Sequence, residues 1–323
     1  MLLQVRDLAA YFFLDEGVLK AVDGLSFDVA AGETVALVGE SGCGKTIVAL
    51  SLLGVVPSPG RVVGGSARFD GVDVVRASPA ELRRVRGAGI GIVFQEPGAA
   101  LNPVHTVGRQ IADVVQLHRG LTKHAADAEA VRLLGEMEIP EPEKRAKAYP
   151  HELSGGMRQR ATIAVAVSAR PRLLIADEPT TALDVTIQRE ILDLLARLQR
   201  DFGMSLLIIT HDIGVVEEIA RRVMVMYAGK LVEVGDAERV FRDPRHPYTQ
   251  GLLRSVPRLG SGRKTPLVGI PGVVPDLLAL PPGCSFHPRC PLGDASCTAA
   301  FPPLDPVAGR LCACYKVHDG ITT

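Results

Sequence analysis

The eight residues Gly39, Glu40, Ser41, Gly42, Cys43, Gly44, Lys45 and Thr46 constrain this fold more than any other feature of the chain. They follow the β-rich apolar run TVALV at 34–38 and open a helical pattern over 46–53 that Gly54 closes. Strand, glycine loop and helix in that order make a phosphate-binding P-loop. Glycines let the backbone wrap closely round phosphate oxygens, while successive N–H groups and the helix N-terminus direct positive dipoles at them. In such a loop Lys45 reaches the β- and γ-phosphates and the Thr46 hydroxyl ligates magnesium. Cys43 occupies a free position and reads as a small spacer rather than a redox group.

The remaining periodicity supplies a sheet for that loop. Residues 2–35 read as short strands and turns, with alternation over 21–29. Pro57, Pro59, Gly60, Gly64 and Gly65 predict a loop, followed by a strand and turn around 67–71. The apolar runs 90–94, 173–176 and 206–210 are strands of the kind buried on both faces. Residues 186–201 repeat apolar side chains at Ile187, Ile191, Leu194, Leu195 and Leu198, an amphipathic helix. Strand–helix alternation predicts an α/β fold with a parallel sheet and helices on both faces. Between about 96 and 160 the spacing is helical, with Pro140, Pro142 and Pro150 marking the exit. After about 243 proline and glycine become dense and periodicity fades, as in a loop-rich appendage.

Charge narrows the function classes. Lys plus Arg and Asp plus Glu both number 36, which argues against a general basic field for nucleic acid. With 9 Phe, 5 Tyr and no Trp, stacking platforms for single strands are also poor. No apolar run approaches the ~18 residues that span a bilayer, and the start lacks a signal-peptide pattern. The chain is expected to be soluble and intracellular.

Two further motifs carry chemistry. LLIADEP at 173–179 is an apolar strand ending in two acids, which places them at the carboxyl end of the sheet. Asp177 is read as holding magnesium through water, and Glu178 as polarising the attacking water. In LSGGMRQR at 153–160, Ser154, Gly155 and Gly156 open a helix with exposed N–H groups, a second anion-binding terminus.

With these motifs, the chain resembles the ABC-transporter ATPase family over about residues 2–242. In order it carries the P-loop, Gln95 in VFQEP, the LSGG signature, the acidic strand, TALD at 181–184 and His211 in IITHD. The resemblance implies a RecA-like core with an N-terminal antiparallel β subdomain and a helical subdomain near 96–160, the ATPase domain ending at 243. It makes Gln95 a magnesium and water contact, His211 a γ-phosphate contact, and Asp184 part of the nucleotide site. By alignment the adenine-stacking aromatic is Phe12, with Tyr11 and Phe13 as neighbours. In this family the signature of one subunit completes the P-loop site of another, so two ATPs sit across a dimer.

The stretch 94–111, the signature and RHPYTQGLL at 245–253 are similar to the oligopeptide/dipeptide permease ATPases, as is the ending PPGCSFHPRCPLGDASC. Within that group the chain looks like the D-type subunit, which implies a distinct F-type ATPase partner, two transmembrane permease subunits and an extracytoplasmic peptide-binding protein. The location implied is the cytoplasmic face of the membrane. Some close relatives import nickel or other small solutes, and a soluble non-transport ATPase is a more distant alternative. Residues 244–323 correspond to a C-terminal extension, associated in some members with an iron–sulfur cluster. Here Cys284, Cys290, Cys297 and Cys314 are separated by five, six and sixteen residues. Four thiolates suit zinc or an iron–sulfur cluster, and Cys312 is a near substitute for Cys314. The resemblance favours a 4Fe-4S cluster on the first four.

Overall fold

The computed structural model describes residues 1–181, 183–255 and 269–318. In chain order, β1 (Leu3–Leu14), β2 (Gly17–Val29), β3 (Thr34–Val38), α1 (Lys45–Leu53) and β4 (Gly60–Phe69) precede β5 (Val72–Asp73), α2 (Pro79–Val85) and β6 (Ile90–Val93). Five helices come next: α3 (Pro97–Ala100), α4 (Val107–Arg119), α5 (Lys123–Glu136), α6 (Pro142–Arg145) and α7 (Gly155–Ser168). Then follow β7 (Leu173–Asp177), α8 (Val185–Phe202), β8 (Ser205–Thr210), α9 (Ile213–Ile219), β9 (Arg222–Tyr227), β10 (Lys230–Asp236), α10 (Ala237–Arg242) and α11 (Pro247–Arg254). The last elements are β11 (Asp305–Val307), β12 (Arg310–Cys312) and α12 (Tyr315–His318).

The chain divides into two bodies. A helical body holds Met1–Leu3, Val29–Glu33 and Phe69–Ile209, and a loop body holds Gln4–Asp28, Thr34–Arg68 and the residues from Thr210 onward.

In the helical body β6, β7 and β8 run parallel, with Ile90 opposite Leu173 and Leu173 opposite Ser205. Every residue of β7 and β8 is buried, as expected for strands covered on both faces. Asp184 caps α8 by accepting from the Ile187 N–H, and Gly203 ends it in the left-handed region. The buried face of α8 is Ile191, Leu192, Leu194, Leu195 and Leu198. Helices α4 and α5 form a hairpin that packs on α7. Arg160 of α7 is buried and donates to the Met137 carbonyl, Glu138 and Glu190, so one guanidinium joins α7 to the end of α5 and to α8. No described helix is long and apolar enough to cross a membrane.

In the loop body β2, β1 and β4 form one sheet in that order. The glycines at 60–65 therefore lie in a strand, not in the loop expected from composition. Gly65 explains why: its φ is +81°, and a Cβ there would sit 2.3 Å from the Asp7 carbonyl oxygen, so only glycine lets β4 lie so close to β1. In the other sheet β3 pairs parallel with β9, and β9 turns back antiparallel onto β10. The described residues after 243 hold more regular structure than their composition suggests: α11 begins within RHPYTQGLL and ends one residue beyond it, and β12 pairs with β10, placing Cys312 opposite Glu233. Tyr227, Tyr248 and Phe286 pack at steep angles to one another, the two Phe286 contacts edge-to-face, with ring centroids 4.6 to 5.4 Å apart, in a core shared with Cys284 and Cys297. Glu233 is fully buried and accepts the backbone N–H groups of Arg245 and His246, each at 2.9 Å.

Candidate functional site

Residues 39–46 run from the end of β3 into α1. Gly42 (φ +79°) and Gly44 (φ +105°) take left-handed conformations, and a Cβ at Gly44 would sit 1.9 Å from the Ala21 carbonyl oxygen. A Cβ at Gly39 would likewise meet the Met226 carbonyl oxygen at 2.2 Å. No side chain caps α1, so its first N–H groups remain available to an anion. Lys45 is 5% exposed, and its Nζ donates to the carbonyls of Gly39 (2.8 Å) and Glu40 (3.0 Å). These bonds hold a buried ammonium against the loop, where it can meet phosphate oxygens. Ser41 and Thr46 are exposed. Cys43 is buried and burial pushes its thiol above the usual range, which suits a spacer.

In the helical body the acidic strand ends as expected. Asp177 closes β7 and is buried, and Glu178 follows at φ +48°, a left-handed conformation uncommon for a side chain of this size. The turn is held by the Glu178 N–H donating to the Ile209 carbonyl (2.7 Å) and by the Thr181 hydroxyl donating to Glu178 Oε2 (2.7 Å). The left-handed backbone lies at Glu178 alone, and the two hydrogen bonds hold it there. Ser154 caps α7 by accepting from the Met157 N–H, and Ser154 and Gly155 are exposed. A Cβ at Gly155 would meet nothing within 4 Å, so neither packing nor backbone conformation within this chain calls for glycine there. Asp184 is the exposed cap of α8; of the TALD segment, Ala182 lies outside the described residues.

Gln95 is exposed in the turn after β6, in the helical body. His211 is exposed after β8, where Asp212 caps α9 through the Gly214 N–H. Phe12 is half-buried with its ring against the Gly60 backbone. Tyr11 is occupied differently, donating its hydroxyl to Asp23 at 2.6 Å, and the Phe13 ring lies 4.4 Å from the Arg61 guanidinium.

The four cysteines of the tail come from separate turns. The Cys284 N–H donates to the Cys297 carbonyl at 2.8 Å, and Cys290 packs on the same apolar cluster. Burial raises the Cys284, Cys290 and Cys314 thiols, and negative charge on the other sulfurs raises them further, with Cys290 pushed up to about 11. None of the six cysteines is in a disulfide. Among the described residues no group of three or more His, Cys, Asp or Glu converges tightly enough to hold a metal ion.

Three contributors carry no sequence signal of their own. Gln159 ties α7 to the acidic turn, Tyr248 accepts the Glu40 N–H at 2.8 Å, and Arg289 pairs with the Glu40 carboxylate. The last two stand in RHPYTQ and HPRC, but a contact spanning more than two hundred positions leaves no periodic trace.

Comparison with known proteins agrees with this arrangement. The ABC transporter family profile matches residues 22–181, and the oligopeptide/dipeptide transporter C-terminal region profile matches residues 232–297. The oligopeptide transport ATP-binding protein OppD of Salmonella typhimurium is 49% identical over 98% of this chain and 94% of its own length. The dipeptide transport ATP-binding protein DppD of Escherichia coli is 46% identical, over 98% and 97% respectively. Among solved structures, the dimeric ATP-binding cassette MJ0796 bound to ADP and Pi superposes with a TM-score of 0.66 at 25% identity, covering 73% of this chain and 98% of that one. The α/β core is thus that of a RecA-like P-loop ATPase. Two profiles in tandem and near-complete coverage by half-identical relatives place the chain in the ABC-transporter ATPase family, in the branch that carries the oligopeptide/dipeptide-transporter C-terminal region.

Proposed function

We propose that the chain is the ATP-hydrolysing subunit of a bacterial importer of di- and oligopeptides. One observation carries this reading: the cassette MJ0796 is matched over 98% of its length by only 73% of this chain, whereas the oligopeptide and dipeptide relatives are matched through the tail as well. Residues 1–243 then form the ATPase domain and 244–323 the transport-specific extension.

In this reading the loop N–H groups and Lys45 bind the nucleotide phosphates, with Phe12 against adenine. Thr46, Gln95 and Asp177 each carry the hard oxygen donor that Mg²⁺ takes, Thr46 exposed at a helix start and Asp177 buried at a strand end. Bound magnesium supplies charge neutralisation to the phosphates. Glu178, fixed by Thr181, takes a proton from water, and His211 orients that water towards the γ-phosphate. Ser154, Gly155, Gly156 and Asp184, all at or near solvent, serve the nucleotide of a second ATPase subunit, a distinct F-type chain. Closure of that pair drives two transmembrane permease subunits at the cytoplasmic face of the membrane, fed by an extracytoplasmic peptide-binding protein.

Cys284, Cys290, Cys297 and Cys314 are proposed as ligands of a 4Fe-4S cluster. What supports the reading is that all four are free of disulfides and that Cys290 feels the charge of Cys284, Cys297 and Cys314. Such a cluster supplies a cross-link to a loop-rich segment. The transport reading is tested by reconstituting the chain with its permease and second ATPase subunits in vesicles. Peptide uptake that depends on ATP is expected; uptake of nickel ion with no response to peptide would replace the cargo.

A further inference from the structure

Arg289 ends a short turn in the C-terminal extension, 249 positions from Glu40 in the phosphate loop, yet the two form a closed fork. Arg289 Nη1 donates to Glu40 Oε2 at 2.7 Å and Nη2 donates to Oε1 at 3.0 Å. The same guanidinium donates to the Tyr227 hydroxyl (3.3 Å) and to the carbonyls of Pro271 (2.9 Å) and Ile270 (3.4 Å). Five N–H groups thus meet five acceptors, which a lysine with three N–H groups on one point cannot reproduce. The Arg289 side chain is 5% exposed and that of Glu40 26%, so the pair is shielded from screening water. Glu40 is held from its backbone side as well, because its N–H donates to Tyr248 of α11.

The charge of Glu40 is the wrong sign for its place. It is the second residue of a loop built to receive phosphate, where an unpaired carboxylate would oppose an incoming anion. We infer that Arg289 is a positioning residue for the nucleotide: by clamping and neutralising Glu40 it sets the shape and charge of the phosphate loop, which makes the extension a working part of ATP binding. This rests on reading residues 39–46 as the nucleotide loop. Arg289 acts through Glu40 and need not touch the nucleotide. Its neighbour Cys290 follows directly in the chain, so whatever fixes that cysteine also fixes the clamp.

The test measures binding of a fluorescent ATP analogue and of ADP to the full-length chain, with thermal melts run in parallel. Arg289→Gln should weaken nucleotide binding by about tenfold or more, as truncation of a shielded, hydrogen-bonded charge pair does. The double change Arg289→Gln with Glu40→Gln should recover affinity to within about threefold of the parent, because the uncompensated carboxylate is gone. Unchanged affinity in the single variant, or a double variant as weak as the single, overturns the inference; the second result would leave Arg289 a purely structural residue. If Arg289→Gln is insoluble, Arg289→Lys carries the test, with an intermediate loss expected and parental affinity counting against. Lys45→Ala separates the two layers. Its loss of binding beside a parental Arg289→Gln sinks the clamp alone, whereas intact binding in Lys45→Ala removes the loop reading and the clamp with it.

Discussion

Gln159 donates its side-chain amide to the Pro179 carbonyl at 2.6 Å, so the helix that starts at Ser154 is bonded to the residue that follows Glu178. Gln159 is 1% exposed, and no water competes for the bond. A displacement of the exposed start of α7 therefore reaches the acidic turn through one buried side chain, within a single body of the protein.

Glu178→Gln should keep ATP binding and lower hydrolysis by about two orders of magnitude or more, the usual contribution of a general base. The Thr181 hydroxyl can still donate to the glutamine carbonyl oxygen, so the turn should persist. Turnover by the reconstituted complex is the measurement, and near-parental rates would remove Glu178 from the role.

Ser154→Arg should leave nucleotide binding to the isolated chain almost unchanged, since Lys45 and the loop are untouched, and should prevent ATP-dependent pairing with the second ATPase subunit. Sedimentation with and without ATP reads the pairing. A binding defect as large as that of Lys45→Ala would place Ser154 in its own chain's site instead.

Protein purified without oxygen should be brown, and serine at Cys284, Cys290, Cys297 or Cys314 should bleach it. Cys43→Ser and Cys312→Ser should not, because Cys43 is buried within the glycine loop at 39–46 and Cys312 lies opposite Glu233 in the sheet. Colourless protein with one tightly held zinc per chain would keep the ligands and discard the cluster.

His246 gives the fold an acid-sensitive point. It is buried, accepts the Tyr248 N–H on Nδ1, and loss of solvation lowers its pKa to about 3. The unfolded chain binds this proton near pH 6.5, while the folded chain refuses it, so stability is complete above 6.5 and falls as pH drops towards 3. The loss is about 1.4 kcal/mol per pH unit across that window. His246→Asn retains an acceptor for the Tyr248 N–H, and its urea midpoints at pH 7, 6 and 5 should fall less steeply than those of the parent. Parallel slopes would refute the assignment.

The glycine loop at 39–46, the acidic strand and α8 were legible because each is local. A left-handed glycine, a buried β-run or an apolar face at 3.6 spacing is written within twenty residues. Predicted and observed bounds of α8 differ by one position at each end, 186–201 against Val185–Phe202. What escaped was long-range. The three residues of β12 have no period of their own and become a strand only because β10 and β11 pair with them on either side. Gly60 and Gly65 read as loop residues until the closeness of β1 explains them. Likewise Arg289 and Tyr248 acquire a role only when the fold carries them to Glu40.

The pairing of β12 with β10 also bears on how this protein can be cut. Strand β10 is almost wholly buried and rich in apolar residues, and β12 satisfies its outward backbone groups. A fragment ending near 243, the natural choice for a minimal ATPase, would leave that row of N–H and C=O groups bare along a sticky margin. Strands left open in this way recruit strands from other molecules. Such a fragment would lack the Arg289 clamp as well, so its tendency to self-associate and any weakness for nucleotide would share one origin, the loss of a tail that finishes the sheet from outside.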